Sequence, residues 1–551
     1  MKIVKLLPQT ERQAHQWIII FSLIILLLAV AIGSFRNVGT FSVESDFYGV
    51  YAVQAERILN GEIYTYQHNP PGYCLLLAGI SIFIGNSFVA AKLISAVSLA
   101  LLALVIYALM KTIVSYQLAF CCTLLSITTL FPASFLAAMD LVSTLVILLP
   151  VCLFLRSSIL TNKTVFICGN LAGFAYLFRT NAIFVPIGII ISLLLINFQQ
   201  EIFWKRLIKV SFFMGGFILI VSPWLIYNLQ VNGSFFNSTA YLQIAANFYH
   251  PEGDYSITSL AEMGIKFNSL TEVILHHPLH ILRKYLQEIL FFNIPKLFIP
   301  LSLIDQFPAL IIFPLLWVGT GLILFLNELK NHQDNLYRQK NIAFLMIFLF
   351  GYLLLGLVSF HRRYYFFIYP CVFLLKLYPL IKLECLKFRQ INPLVKRIFT
   401  YFFIFSLFTG VTLASGIETY LTLRDEPKYL LVIAEYLKAS SSPNEIMIIR
   451  KPHLAYLANL TPTFPLANTA NEYISKAKEI GAKYVVYSDY EASLWSGLNS
   501  LSSPKNLPPS LQLIYHYQPT NTLIYQINSK HFLRNAAQTA ISCQPSAIRL
   551  R

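Results

Sequence analysis

Apolar residues come in long unbroken blocks separated by short polar stretches. Blocks of about 20 apolar residues are the length of a membrane-spanning helix. The pattern predicts eleven spans: 17–34, 88–110, 117–134, 141–156, 164–179, 181–197, 208–227, 309–327, 341–360, 365–381 and 398–418. Between Pro70 and Gly85 lies a shorter run, PPGYCLLLAGISIFIG, which reads as a re-entrant or interface-lying helix. After residue 419 the pattern changes. EPKYLLVIAEYLKASSS (426–442) and TANEYISKAKEIGA (469–482) have helical spacing, whereas EIMIIR (445–450) and KYVVYS (483–488) read as strands. LQLIYHY (511–517) and TLIYQI (522–527) read as a hairpin around PTN. The expected fold class is therefore a polytopic α-helical membrane protein of about eleven transmembrane helices, with a small C-terminal soluble α/β domain.

Composition agrees. The 551 residues are 56% hydrophobic and 12% charged, against roughly 25% charged in soluble domains. The formal charge of +16 invites a nucleic-acid reading, but the basic residues gather in short loops between apolar blocks, which is the pattern of membrane orientation. Lys2, Lys5 and Arg12, Lys111, Arg156 and Lys163, Lys205, Arg206 and Lys209, Lys330, Arg338 and Lys340, and the cluster Lys382–Arg397 fall on one side. The opposite loops hold fewer, in longer sequence. The N-terminus is expected to be cytoplasmic and residues 421–551 extracytoplasmic, with the outer loops 35–87 and 228–308 and the turn at Asp140 on the same face. The eight cysteines lie mostly within apolar blocks and show no metal-ligand spacing. No cofactor is expected, with a divalent cation left open, and no nucleic acid.

The chemistry-bearing residues cluster on that outer face. Asp46 stands at the head of the loop FSVESDFYGVYAVQAERILNGEIYTYQHNPPGY (41–73). A carboxylate there suits a general base that takes a proton from an attacking hydroxyl or amine; the alternative is a cap on the helix that follows. Glu44 could share the role. Asp140 interrupts FPASFLAAMDLVSTLVILL (131–149) at the membrane boundary, where ionisable groups are costly and mostly functional. The alternative is again a helix cap. Arg179 in FRTNA, and Arg362, Arg363 and Tyr364 in HRRYYFFIYP, lie at outer ends of spans, where guanidinium groups could hold a lipid phosphate. Snorkelling to headgroups is the alternative. Lys92, Arg57, His68 and Asn69 complete the candidate binding set. Asp489 and Glu491 read as an exposed loop, and Trp224 and Tyr227 as aromatic-belt residues.

In order and sidedness these motifs resemble the GT-C glycosyltransferases, in the family 39-like branch that contains protein O-mannosyltransferases and the lipid A aminoarabinose transferase. The carrying residues are Asp46, AERILNG (55–61), NPPGY (69–73), Asp140, and Arg363, Tyr364 and Pro370. The resemblance implies a GT-C-like catalytic domain over 1–420 and an extracytoplasmic domain over 421–551. It also implies a polyprenyl-phosphate-linked sugar donor and a glycan, lipid or protein acceptor in contact with the bilayer. Transfer would invert the sugar, with Asp46 as base, Asp140 supporting it or the acceptor, and Arg179 and Arg363 facing the donor phosphate. Two departures leave sugar and acceptor open: Phe47 follows Asp46 where the mannosyltransferases carry Glu, and Asn69 stands where the aminoarabinose enzyme carries Lys. A flippase for lipid-linked saccharides and a saccharide polymerase or ligase are the competing readings. The chain shows no repeat symmetry of the transporter kind.

Overall fold

The computed structural model describes residues 8–66, 69–235, 240–250, 257–298, 312–358, 361–385, 393–465, 469–494, 496–503 and 508–527. The chain divides into two compact units. One comprises Met1–Arg36 and Gln54–Asp425; the other comprises Asn37–Val53 and Glu426–Arg551.

The first unit is helical. Its leading elements are α1 (Glu11–Ser34), α2 (Ala52–Leu59, which begins in the second unit), α3 (Gly72–Ile84), α4 (Ser87–Lys111), α5 (Tyr116–Leu130), α6 (Asp140–Arg156), α7 (Asn162–Phe178), α8 (Phe184–Leu195) and α9 (Phe203–Asn232). Among the described residues seven helices are long and apolar enough to cross a membrane: α1, α4, α5 with its 3-10 extension to Ala133, α9, Asn335–Leu355, Arg362–Lys382, and a last one starting at Thr400. The short block after Pro70 forms α3, 13 residues long. Sequence sets the ends of several helices. Thr10, Asn86 and Thr161 each accept a hydrogen bond from the backbone N–H three residues on, capping α1, α4 and α7.

The interior of this unit is apolar, so water expulsion gives helices little reason to associate within the bilayer. Close packing of small residues supplies it instead. A Cβ on Gly169 would stand 2.1 Å from the carbonyl oxygen of Phe213, and one on Gly216 would stand 2.3 Å from that of Phe166. Glycine at both positions lets α7 and α9 touch backbone to backbone.

The second unit contains a five-stranded mixed sheet in the order β2-β1-β3-β5-β4. The strands are β1 (Ile446–Ile448), β2 (Thr461–Thr463), β3 (Tyr484–Tyr487), β4 (Leu511–Tyr517) and β5 (Thr522–Ile527). β1 is parallel to β2 and β3, as helical crossovers require, while β3, β5 and β4 pair antiparallel. Side chains alternate across the sheet. Val485, Tyr487, Leu523 and Tyr525 pack on one face with Tyr473 and Ile474 of the helix Ala470–Glu479. Tyr484, Val486 and Ile524 pack on the other with Ile433 and Leu437 of Tyr429–Ser440. This is the small α/β domain that the tail pattern predicts, with β2 added: three residues including a proline give no alternating signal, and only an edge accommodates them.

Candidate active site

The predicted site residues fall in both units. In the second, the backbone of 37–48 curls into a compact turn whose amides are met one by one. The Glu426 carboxylate accepts from the N–H groups of Asn37 (2.6 Å) and Val38 (2.9 Å). The Tyr48 hydroxyl accepts from Gly39 N–H at 2.9 Å, and Glu44 Oε2 accepts from Thr40 N–H at 2.8 Å. Gly39 has no room for a side chain, since a Cβ would lie 2.8 Å from that of Glu44 and 2.9 Å from the Tyr48 ring. Glu44 is fully buried, so its carboxylate serves this turn. Asp46 follows in helical backbone conformation and makes no capping hydrogen bond to the helix beyond it. A single π-helical turn, Phe47–Tyr51, comes next; such turns concentrate at functional sites. It buries Phe47, Tyr48 and Tyr51 and leaves Asp46 half-exposed.

Three groups in the same unit lie outside the sequence prediction. Lys451 Nζ donates to the Phe41 carbonyl at 2.6 Å. The His453 ring, fully buried, bonds the Thr40 carbonyl at 3.0 Å. Glu491 accepts from Lys451 N–H at 2.9 Å. The expected exposed loop at Asp489 and Glu491 is a helix instead, Asp489–Leu494, with Glu491 only 3% exposed. One short turn with a charge on its inner side has no periodicity to betray it. Burial pushes the Glu491 carboxyl up to about 7 and the His453 imidazole down to about 4. Burial also lowers the Lys451 ammonium, helped by Arg450 and opposed by Glu491 and Asp46.

These two large shifts act on stability in opposite directions. Between pH 4.5 and 7 folded Glu491 holds a proton that the unfolded chain has released, so stability falls as pH rises through that window. Between pH 4 and 6.5 folded His453 lacks a proton that the unfolded chain binds, so stability rises. In the intact protein, amide protection factors across β3 should therefore stay nearly level from pH 5 to 6.5. In Glu491→Gln they should climb over the same range. Parallel profiles in the two proteins would refute this balance.

In the first unit, Arg179 Nη1 and Asp140 Oδ1 form a salt bridge of 2.8 Å, with both residues buried. Arg179 ends α7 in extended conformation and Asp140 opens α6. The segment before Asp140 is held by Ser95, whose hydroxyl donates to the carbonyls of Leu136 (2.7 Å) and Ala138 (3.1 Å). The Arg179 guanidinium also lies 4.4 Å from the Tyr364 ring centre, and that of Arg363 lies 5.4 Å from it. Two cations, one carboxylate and one aromatic face thus converge, an arrangement suited to an anionic group.

Arg362 points elsewhere. Its Nε donates to the Tyr369 hydroxyl at 2.7 Å and its Nη1 lies 3.6 Å from Glu418. With Lys376 and Gly410 these residues line a cavity of about 280 Å3. Lys92 is buried, with Nζ 2.7 Å from the carbonyls of both Gly33 and Arg36, and so closes the end of α1. Arg57 braces its own loop through Glu62 and Thr65, both at 2.9 Å. The Asn69 carbonyl accepts from Tyr64 at 2.7 Å. His68 lies outside the described residues. Trp224, expected in an aromatic belt, is buried and stacks on half-buried Tyr227 with ring centres 5.5 Å apart, and Tyr227 bonds the Tyr64 carbonyl. Among the described residues no group of three His, Cys, Asp or Glu could hold a metal ion.

Residues 68–227 match the family described as dolichyl-phosphate-mannose-protein mannosyltransferase. That stretch contains Asp140 and Arg179 and leaves out Asp46 and Arg362–Tyr364. No curated protein sequence matches the chain. Among solved structures, the fold is similar to that of ArnT from Cupriavidus metallidurans bound to undecaprenyl phosphate, with a TM-score of 0.53 at 12% identity, covering 93% of this chain and 98% of that one. It is also similar to the archaeal oligosaccharyltransferase AglB from Archaeoglobus fulgidus in complex with an inhibitory peptide and a dolichol-phosphate. There the TM-score is 0.53 at 13% identity, covering 93% of this chain and 74% of that one. The resemblance to GT-C glycosyltransferases carried by the sequence motifs is thus met by a sequence-family match and by the fold. The chain is an integral-membrane protein whose fold is similar to those of ArnT and AglB.

Proposed function

We propose that this protein is a membrane glycosyltransferase that moves a sugar from a polyprenyl-phosphate donor to an acceptor at the extracytoplasmic face. The observation that carries the reading is the buried Asp140–Arg179 pair beside Tyr364, inside the stretch that matches the mannosyltransferase family. A phosphate leaving group develops charge as the sugar departs, and preorganised guanidinium groups stabilise it. Arg179 and Arg363 take that role, with Asp140 orienting Arg179. Asp46 is the general base, and a single displacement inverts the sugar. Lipid phosphates bound to ArnT and AglB support the choice of donor. The polar-headed cavity at Arg362 offers room for part of the prenyl chain. The excess of basic residues in the short loops supports a cytoplasmic N-terminus and an extracytoplasmic domain beyond residue 420.

The test is sugar transfer in membranes containing the protein, from a panel of radiolabelled polyprenyl-phosphate sugars with lipid, glycan and peptide acceptors. Label is expected in an acceptor from at least one donor, with the anomeric configuration inverted. A product of retained configuration would sink the single-displacement mechanism. Absence of transfer across the panel, combined with protein-dependent movement of the donor between leaflets, would replace the transferase by a flippase.

A further inference from the structure

The candidate base belongs to a segment, Asn37–Val53, that folds with the C-terminal domain. Glu426 holds its first residues, Asn37 and Val38, and one short stretch just after β1, 451–456, holds the rest. Lys451 Nζ donates to the Phe41 carbonyl at 2.6 Å and to Ser45 Oγ at 3.4 Å, so it bridges two points of the turn that ends at Asp46. Pro452 fills the space beside Gly49, 3.2 Å from where a Cβ would stand. His453 bonds the Thr40 carbonyl, and its ring centre lies 4.4 Å from that of Tyr48 and 5.0 Å from that of Phe41. Tyr456 packs against Tyr48 with ring centres 5.4 Å apart. Beneath this stretch buried Glu491 receives the Lys451 amide. Asp46 and Glu491 both act electrostatically on the Lys451 ammonium.

We propose that Lys451 is a positioning residue for Asp46, fixing the 41–45 backbone that leads into it, so that the C-terminal domain serves as the mount of the base. The inference rests on the reading of Asp46 as the base of a glycosyl transfer. A lysine suits the task because its ammonium is a compact charge with three donors and can serve a carbonyl, a hydroxyl and a nearby carboxylate together. The short bond to Phe41 is of the charge-assisted kind.

The test uses the full-length protein in lipid nanodiscs, with Lys451→Met, Lys451→Gln and Lys451→Arg. Loss of a hydrogen bond to a charged group should raise hydrogen exchange at residues 40–46 by about tenfold or more in Lys451→Met, with exchange across β3 unchanged. The same variant should lose about tenfold or more in kcat, because a misplaced group costs rate even when substrate binding is intact. The KM for donor should stay within about twofold. Lys451→Gln keeps a donor for the carbonyl but no charge. It should retain protection at 40–46 and most of the rate lost in Lys451→Met. Lys451→Arg should keep most of the rate as well.

Unchanged exchange at 40–46 in Lys451→Met overturns the mount. A β3 that loses protection in step with activity overturns it as well, because the loss of rate is then one of folding. If the wild-type protein transfers no sugar, the glycosyltransferase reading fails. The exchange arm still decides whether Lys451 holds the Asp46 segment.

Discussion

Asp46→Asn is expected to lower kcat for sugar transfer by about a hundred- to ten-thousand-fold, the usual worth of a general base. The donor KM and the amount of protein in the membrane should not change. The structure explains why this substitution is clean. Asp46 is half-exposed, so an amide of the same shape fits in its place. The turn is fixed by Glu44, Tyr48 and Glu426 instead. Glu44→Gln should behave in the opposite way, loosening the turn because a buried acceptor is replaced. Undiminished transfer by Asp46→Asn, at equal expression, would reduce Asp46 to a loop acid.

The second large effect concerns the Asp140–Arg179 pair. Removing one member of a buried pair leaves an uncompensated charge and typically costs about 3–5 kcal/mol. Asp140→Leu should therefore lower the thermal midpoint of the protein and abolish transfer. Arg179→Met should abolish transfer by removing the cation from the donor phosphate. The double variant, Asp140→Leu with Arg179→Met, should recover most of the lost stability because no lone charge remains. It should recover none of the transfer. Thermal unfolding in detergent, read beside the transfer assay, separates the two roles. A double variant that regains both stability and activity would make the pair a structural brace only.

The helical part of this fold is legible because apolar blocks dictate membrane helices almost locally. Asp46, Asp140, Arg179 and Arg363 stand out because charges are rare in such sequence and have to be placed. Their partners are much harder to read. Arg179 finds Asp140 across 39 residues, and His453 finds Thr40 across 413. No periodicity links such positions, since the contact is made by the fold. Lys92 shows the converse. By sequence it is one more cation at a span end, yet two carbonyls at the end of α1 absorb its ammonium. Glu491 escaped for a third reason: a helix of six residues is too short to display which of its sides faces inward.

The long separation between Thr40 and His453 also bears on how the protein is made. Ribosomes add about 5–20 residues each second, so the segment with Asp46 emerges roughly 20–80 s before the stretch that will hold it. During that interval Phe47 and Tyr48, which pack against Tyr456 in the finished domain, have no C-terminal surface to cover them. A chain that stops before β1 keeps its membrane helices but leaves those rings exposed and the acid unsupported. Quality control acting on such nascent chains would thus sense completion of the C-terminus through a loop translated near the start.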